Sequence, residues 1–392
     1  MSSTPGHRIL HLVLLGTILL GCFVFLLFLY HNPSSIWILD SVNFTEPTEQ
    51  VKGAIPNKSN DVIPNKSNDV IPNKTNDVVP NKTNDVVPKK RNDDVITVLM
   101  WLWPFGVKLE LNRCSSLFNI EGCFITPDRN FYNKADGVIF HHRDLYSERF
   151  NMLKLHRPAF QKWIWMNMES PTNTPRIPTI ENLFNLTTSY RQDSTIPLPY
   201  GVLETVDGKE EFVLPRKNKM VCWIVSNWNE KHVRVKYFNE FQKHIKVDTY
   251  GRAVGAYVSH EEYLSIITSC KFYLSFENSI HRDYITEKFY NPLSVGTVPV
   301  VLGPPRQNYE NMIQGDAFIH VDDFSSPKEL ADHLLLLDKN EEMYLRFFEW
   351  KHHFKARTTM FVTEHACLTC NYLRRHKQYK TLSNFGKWFW ES

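Results

Sequence analysis

Glu287 and Lys288 stand side by side in the stretch FENSIHRDYITEKFYNPLSVGTVPVVLG at 276–303. An apolar run exits there into Glu277-Asn278-Ser279, and a helix is expected to begin near Asp283. Its amide-rich N-terminus would then face the C-terminal edge of a sheet, a natural seat for phosphate. Neighbouring helical positions point in different directions, so Glu287 could accept two hydroxyls while Lys288 neutralises a diphosphate. Arg234, opening another helix after SNW, offers a second positive charge to the same phosphates. Each of these charges could equally be an ordinary solvated helix residue.

Glu169 in WMNMESP is the candidate general base, because Trp163, Trp165, Met166 and Met168 would shield it from water. The plainer alternative is a glutamate that hydrogen-bonds the turn before Pro171. No D-x-D occurs, and the doublets His141-His142 and His352-His353 lack metal-ligand spacing. Stabilising a departing diphosphate would fall to arginine and lysine, and no metal or other cofactor is expected.

These residues need strands and helices to position them. DVITVLMWLWPFG starts with a nearly continuous apolar run that reads as a buried parallel strand. ADGVIFHHRD and FQKWIWMNMESP give two more, whose polar exits carry His141, His142, Arg143, Asp144 and Glu169. KMVCWIVSNW, VDTYG, KFYLSFENS and TVPVVLGPP read as a second set of strands. Between them lie helical patterns, one with Val233, Tyr237, Phe238 and Phe241 on its apolar face, another kinked by Pro292 and ended by Gly296. Such alternation implies an α/β protein with two doubly wound, Rossmann-like lobes and a cleft between them. The aromatic tail YLRRHKQYKTLSNFGKWFW should pack back on one lobe as helix.

Length and composition allow this: 392 residues, 42% hydrophobic, leave room for two domains. A net charge of +3, evenly spread, argues against a nucleic-acid partner. Residues 9–30 are apolar enough to span a bilayer, and the short segment before them suits an uncleaved signal anchor better than a cleaved signal peptide. The chain beyond would be lumenal. IPNKSNDV at 55–62 recurs at 63–70 and, with substitutions, at 71–78 and 79–86. Units this small cannot bury a core, so a Pro-rich extended stem is expected. Its sequons at Asn57, Asn65, Asn73 and Asn81, with Asn43 and Asn185 elsewhere, are candidate N-glycosylation sites. Six cysteines outside the span (114, 123, 222, 270, 367 and 370) suggest three disulfides of open connectivity; Cys367-x-x-Cys370 could otherwise be redox-active or half a zinc site.

On FENSIHRDYITEKFYNPLSVGTVPVVLG, FQKWIWMNMESP, VCWIVSNWNEKHVRVKYFNE and EHACLTC, the chain resembles the alpha-1,3-fucosyltransferases, type II Golgi membrane enzymes of two-lobed GT-B fold. The resemblance covers essentially all of 95–392 and excludes the repeats. It implies inverting transfer of L-fucose from GDP-β-L-fucose to O3 of GlcNAc, with Glu169 as general base and Arg234 and Lys288 as a diphosphate clamp. Tyr200, Ile224, Ser226, Asn227, Val258, Tyr273, Asn278, Tyr284 and Glu287 match positions lining the guanosine and fucose pocket. His142, Arg143, Asp144 and Glu169 match the acceptor side, in the HHRD form associated with type 2 chains and Lewis X products. Val107 departs from the pattern, standing where Lewis X-type members carry Gln against the acceptor. The implied disulfides are Cys114–Cys367, Cys123–Cys370 and Cys222–Cys270.

The expected organisation is a cytoplasmic tail (1–8), signal anchor (9–30), glycosylated stem (31–94), acceptor-side lobe (95–213), GDP-fucose lobe (214–365) and returning tail (366–392). Expected partners are GDP-fucose, lactosamine-bearing glycoproteins and glycolipids, the membrane, and a second copy of the chain as a further candidate. Competing readings are a GT-B glycosyltransferase of different specificity and a non-catalytic, membrane-tethered glycan-binding protein.

Overall fold

The chain leaves its first parallel sheet, builds a second, and returns to close the first. The computed structural model describes residues 95–206, 212–313 and 316–391. The expected span at 9–30, and the stem with Asn43, Asn57, Asn65, Asn73 and Asn81, lie outside the described residues. Among those described, no helix is long and apolar enough to cross a membrane.

The first sheet contains β1 (Ile96–Met100), β2 (Cys123–Thr126), β3 (Gly137–His141), β4 (Lys162–Asn167), β5 (Leu186–Ser189) and β6 (Ile196–Pro197). Their spatial order is β2-β1-β3-β4-β5-β6, every pairing parallel. Helices α1 (Cys114–Phe118) and α2 (His142–Met152) lie within this part of the chain. Both faces are covered, as a parallel sheet requires. In β4, Ile164 and Met166 join one core while Trp163 and Trp165 join the other, following the two-residue period of a strand.

After β7 (Gly201–Thr205) come β8 (Lys219–Ile224), α3 (Val233–Phe241), β9 (Asp248–Tyr250), α4 (His260–Ser269), β10 (Cys270–Phe276), α5 (Glu287–Ser294), β11 (Val298–Leu302), α6 (Arg306–Glu310) and β12 (Ile319–His320). The second sheet, ordered β12-β11-β10-β8-β9, is also wholly parallel. Helices α7 (Pro327–Lys339) and α8 (Glu341–Leu345) follow, and β13 (Phe354–Thr358) then pairs antiparallel with β7.

The return is α9 (Phe361–Arg375) and α10 (Phe385–Trp390). Helix α9 packs on β1, β2 and β3 and is tied to the first sheet's region by Cys114–Cys367 and Cys123–Cys370. Phe385 and Phe389 of α10 enter the opposite core beside Trp165. The third disulfide, Cys222–Cys270, joins β8 to β10. These are the three pairs the family resemblance implied, and they close the redox and zinc alternatives for Cys367-x-x-Cys370. The boundary expected at 365/366 falls inside α9.

Two helix expectations need correction. In α3 the buried positions are Arg234, Val235, Phe238 and Phe241, whereas Val233 is 54% exposed. Val233 is the first helical residue, where the chain is still turning out of the preceding loop. The helix expected near Asp283 begins at Glu287, capped by Thr286. Asp283 sits in the left-handed region at φ 62, and its carboxylate accepts from Gln192 N (3.1 Å) and Asn308 Nδ2 (2.7 Å). A short polar side chain tolerates that conformation, which helix cannot continue through. Pro292 lies inside α5, and the Lys288 carbonyl that its missing N–H would have bonded accepts instead from Ser275 Oγ at 2.6 Å.

Gly201 opens β7 against the Tyr290 ring, into which an added Cβ would run directly. We therefore expect Gly201→Ala to cost about 1–3 kcal/mol in denaturant unfolding. An unchanged midpoint would contradict this packing.

Candidate active site

Each sheet has a switch point, where the strand order reverses and open α/β folds bind ligands. In the first sheet it lies between β1 and β3, whose exits carry Pro104–Val107 and His142–Asp144. In the second it lies between β8 and β10, whose exits carry Ser226-Asn227 and Glu277-Asn278. A cavity of about 340 Å³ is lined from both, by Phe105, His142, Arg143 and Glu169 on one side and Asn227 and Asn278 on the other.

Glu169 leaves β4 half-buried, facing this cavity. Its Oε1 accepts from Tyr284 Oη at 2.6 Å, from the Ser170 amide at 2.8 Å and from Asn173 Nδ2 at 3.4 Å. The shielding expected from Trp163 and Trp165 is absent, because both indoles point into the core beneath the sheet. Hydrogen bonds orient the carboxylate instead. Tyr284 is buried beside Tyr190 and Tyr200; burial, and then the nearby Glu169 charge, push its phenol far up, so it keeps its proton and donates.

The loop that delivers Tyr284 is braced on the first sheet's exits. Ser279 Oγ donates to Ser170 Oγ at 2.7 Å, and His281 Nε2 meets Thr172 Oγ1 at 2.6 Å. At its base, buried Glu277 accepts from the Thr286 amide (2.8 Å) and hydroxyl (2.9 Å) and pairs with Lys288 Nζ at 3.3 Å. Burial raises the Glu277 carboxyl against the pull of Lys288. Burial works against the Lys288 charge too, but Glu277 and Glu287 outweigh it and hold the ammonium above its ordinary range. Glu287 and Lys288 do not diverge as expected. They form a 3.1 Å ion pair, because Lys288 folds back toward Glu277.

Arg234 is 5% exposed and clamps both exits of the second switch point, donating to Asn227 O at 2.6 Å and Phe276 O at 3.2 Å. Its Nε and the Ser226 hydroxyl are buried without protein partners, two donors available to an anionic ligand. Ile224 of β8, Tyr273 of β10 and Val258 belong to one buried cluster outside the cavity lining. Tyr200, half-buried, donates to Met168 O.

On the first sheet, His142 is buried. Its Nδ1 accepts from Trp165 Nε1 at 2.9 Å, so Nε2 carries the proton and donates to Pro175 O at 2.8 Å. Burial pushes it down to about 4. Its ring borders the cavity, with both nitrogens committed to protein partners. Asp144 Oδ2 accepts from His141 Nδ1 (2.7 Å) and the Phe105 amide (3.2 Å). That bond holds Phe105 at φ 57, a strained conformation for a bulky residue. The Arg143 guanidinium lies over the Phe105 ring, 4.7 Å from its centroid. Val107, half-buried after Gly106, falls just outside the cavity lining.

Sequence reasoning passed over Thr286, Phe105 and Tyr190 and read Glu277 only as the exit of a strand. Glu277 carried a usable signal, a carboxylate directly after an apolar strand; the other three act through distant partners. Asn185, the sequon within the folded part, packs inside the first sheet's region. It is 2% exposed, its oxygen accepts from Trp163 N (2.8 Å) and Arg157 Nη1 (3.1 Å), and the nitrogen that would carry a glycan donates to Lys380 O at 2.7 Å. Among the described residues no His/Cys/Asp/Glu group is arranged to hold a metal ion.

Two family models match: "Fucosyltransferase, N-terminal" over residues 93–201 and "Glycosyltransferase family 10 (fucosyltransferase) C-term" over 214–388. The chain is 46% identical over 390 residues to the 4-galactosyl-N-acetylglucosaminide 3-alpha-L-fucosyltransferase 9 of Homo sapiens and to that of Rattus norvegicus, covering 100% of each chain. It is 42% identical over 305 residues to the 3-galactosyl-N-acetylglucosaminide 4-alpha-L-fucosyltransferase FUT3 of Pan troglodytes, covering 75% of this chain and 80% of that one. A solved alpha1,3-fucosyltransferase with GDP-fucose aligns at a TM-score of 0.47 and 17% identity, over 76% of this chain and 96% of that one.

The buried pair at the base of the loop is testable by itself. Lys288→Met leaves Glu277 buried beside Glu287 without its ammonium, and about 3–5 kcal/mol of stability should be lost. Adding Glu277→Gln should recover part of that loss in denaturant unfolding. A double variant less stable than Lys288→Met alone would contradict the pairing.

Proposed function

Because the chain belongs to glycosyltransferase family 10, the fucosyltransferases, we propose that it transfers L-fucose from GDP-β-L-fucose to O3 of GlcNAc in type 2 N-acetyllactosamine, making Lewis X-type glycans. The observation that carries the chemistry is Glu169 facing a cavity whose other wall is the second sheet's switch point. The acceptor disaccharide occupies the Phe105–Arg143–Glu169 side, and GDP-fucose the Asn227–Arg234–Asn278 side.

Glu169 takes the proton from the acceptor O3 as that oxygen attacks C1 of fucose. The C1–O bond to the diphosphate breaks, the anomeric carbon inverts, and GDP departs. Tyr284 keeps the carboxylate aimed during this step. Arg234 and Lys288 stabilise charge developing on the leaving group, Arg234 through its unpartnered Nε and Lys288 by loosening its pair with Glu287. Glu287 is then free to accept fucose hydroxyls.

The two sheets act as the lobes of a GT-B enzyme, with α9 and α10 returning the chain to the acceptor lobe. Residues 9–30 anchor it as a single-pass type II Golgi protein, with the octapeptide stem carrying glycans between membrane and catalytic region.

The test is a transfer assay of the full-length chain in detergent, with GDP-fucose and either type 2 or type 1 lactosamine, product linkage being read by NMR. Fucose on GlcNAc O3 of the type 2 acceptor is expected, and Glu169→Gln should keep GDP binding while losing roughly 10²–10⁴-fold in kcat. Transfer at another position, or full activity in Glu169→Gln, would overturn the proposal.

A further inference from the structure

Helix α2 begins at the cavity, and its otherwise polar outer face carries large apolar side chains open to solvent. Tyr146 is 59% exposed, Phe150 59% and Leu153, just past its end, 50%. They fall at i, i+4 and i+7, so they form one stripe along one side of the helix. At 1.5 Å per residue the stripe extends about 10 Å. Large side chains left this open, in a row, mark a surface with a function.

Two features select the occupant. Tyr146 lines the same cavity as Arg143 and Glu169, so the stripe starts at the acceptor side. Arg149 lies between the two rings, 4.2 Å from the Tyr146 centroid and 4.6 Å from that of Phe150, and is tied to the Tyr146 carbonyl. The result alternates flat apolar rings with a fixed hydrogen-bond donor. That suits a sugar chain, whose pyranose rings present C–H faces to aromatics and hydroxyls to donors.

We propose that the Tyr146–Phe150–Leu153 stripe is a binding site for the saccharide units of the acceptor glycan beyond the fucosylated disaccharide, giving the protein a preference for extended lactosamine chains. This rests on the acceptor side assigned above. Arg149 holds the rings apart and donates to hydroxyls of the bound chain. The extended acceptor therefore gains contacts that the disaccharide cannot reach.

The test compares KM for a single lactosamine disaccharide with that for a chain of three repeats, using the full-length protein and its Phe150→Ser/Leu153→Ser variant. The wild type should show a KM roughly threefold to tenfold lower for the longer chain, the range one aromatic contact surface supplies. The variant should lose that advantage while its kinetics on the disaccharide stay unchanged. Equal KM values for the two acceptors in the wild type, or a variant that retains the advantage, would overturn the proposal. So would self-association in sedimentation that the variant abolishes without any effect of acceptor length, since a second copy would then cover the stripe. Absence of transfer to either acceptor would count against the fucosyltransferase reading alone. The stripe would then be judged by saturation-transfer NMR with the same three-repeat chain, where contacts at the outer repeats that the variant loses support it and contacts confined to one end refute it.

Discussion

The hydrogen bond from Tyr284 Oη to Glu169 Oε1, at 2.6 Å, joins the two side chains that the sheets bring together at the proposed site. The carboxylate leaves β4 of the first sheet, and the phenol comes from the loop between β10 and α5 of the second. Both sheets therefore orient the proposed base, the first through Ser170 N and Asn173 Nδ2 and the second through Tyr284. Its geometry depends on how rigidly the second sheet's loop is held over the first, and much of the surrounding structure serves that purpose.

The loop is anchored at both ends by polar groups that are costly to bury. Glu277 is 2% exposed and is stable there only because Thr286 and Lys288 satisfy it. Between these anchors Asp283 takes a left-handed turn, and Ser279, His281 and Asp283 each bond an exit loop of the first sheet. Arg234 fixes the neighbouring exits by their carbonyls. On the opposite wall, Asp144 performs a comparable task, holding Phe105 in a strained turn under Arg143. Two donors, Arg234 Nε and Ser226 Oγ, are left buried without protein partners.

Strands β1, β3, β4, β8, β9, β10 and β11 were legible because apolar runs ending in polar residues have few alternative readings, whereas β2, β5, β6, β7, β12 and β13 went unread. Helix phase was less so: Val233 fits the 3.6-residue period of α3 but precedes the point where the helix meets its core. The start of α5 was displaced because Asp283 bonds residues from elsewhere in the chain, Gln192 and Asn308, which local pattern cannot reveal. The Glu287–Lys288 pair escaped for a similar reason, since only the buried Glu277 turns the lysine back. At Asn185 a three-residue motif carries no record of burial. The disulfide partners, separated by as many as 253 residues, came from family resemblance, because spacing alone left them open.

The most direct measurement is steady-state kinetics of Tyr284→Phe, alone and combined with Glu169→Gln. Loss of one buried hydrogen bond to a charged base should lower kcat about tenfold to a hundredfold with little change in KM for GDP-fucose. In the Glu169→Gln background the same substitution should add almost nothing, because the two groups act as one unit. Full kcat in Tyr284→Phe, or losses that simply multiply in the double variant, would contradict the account.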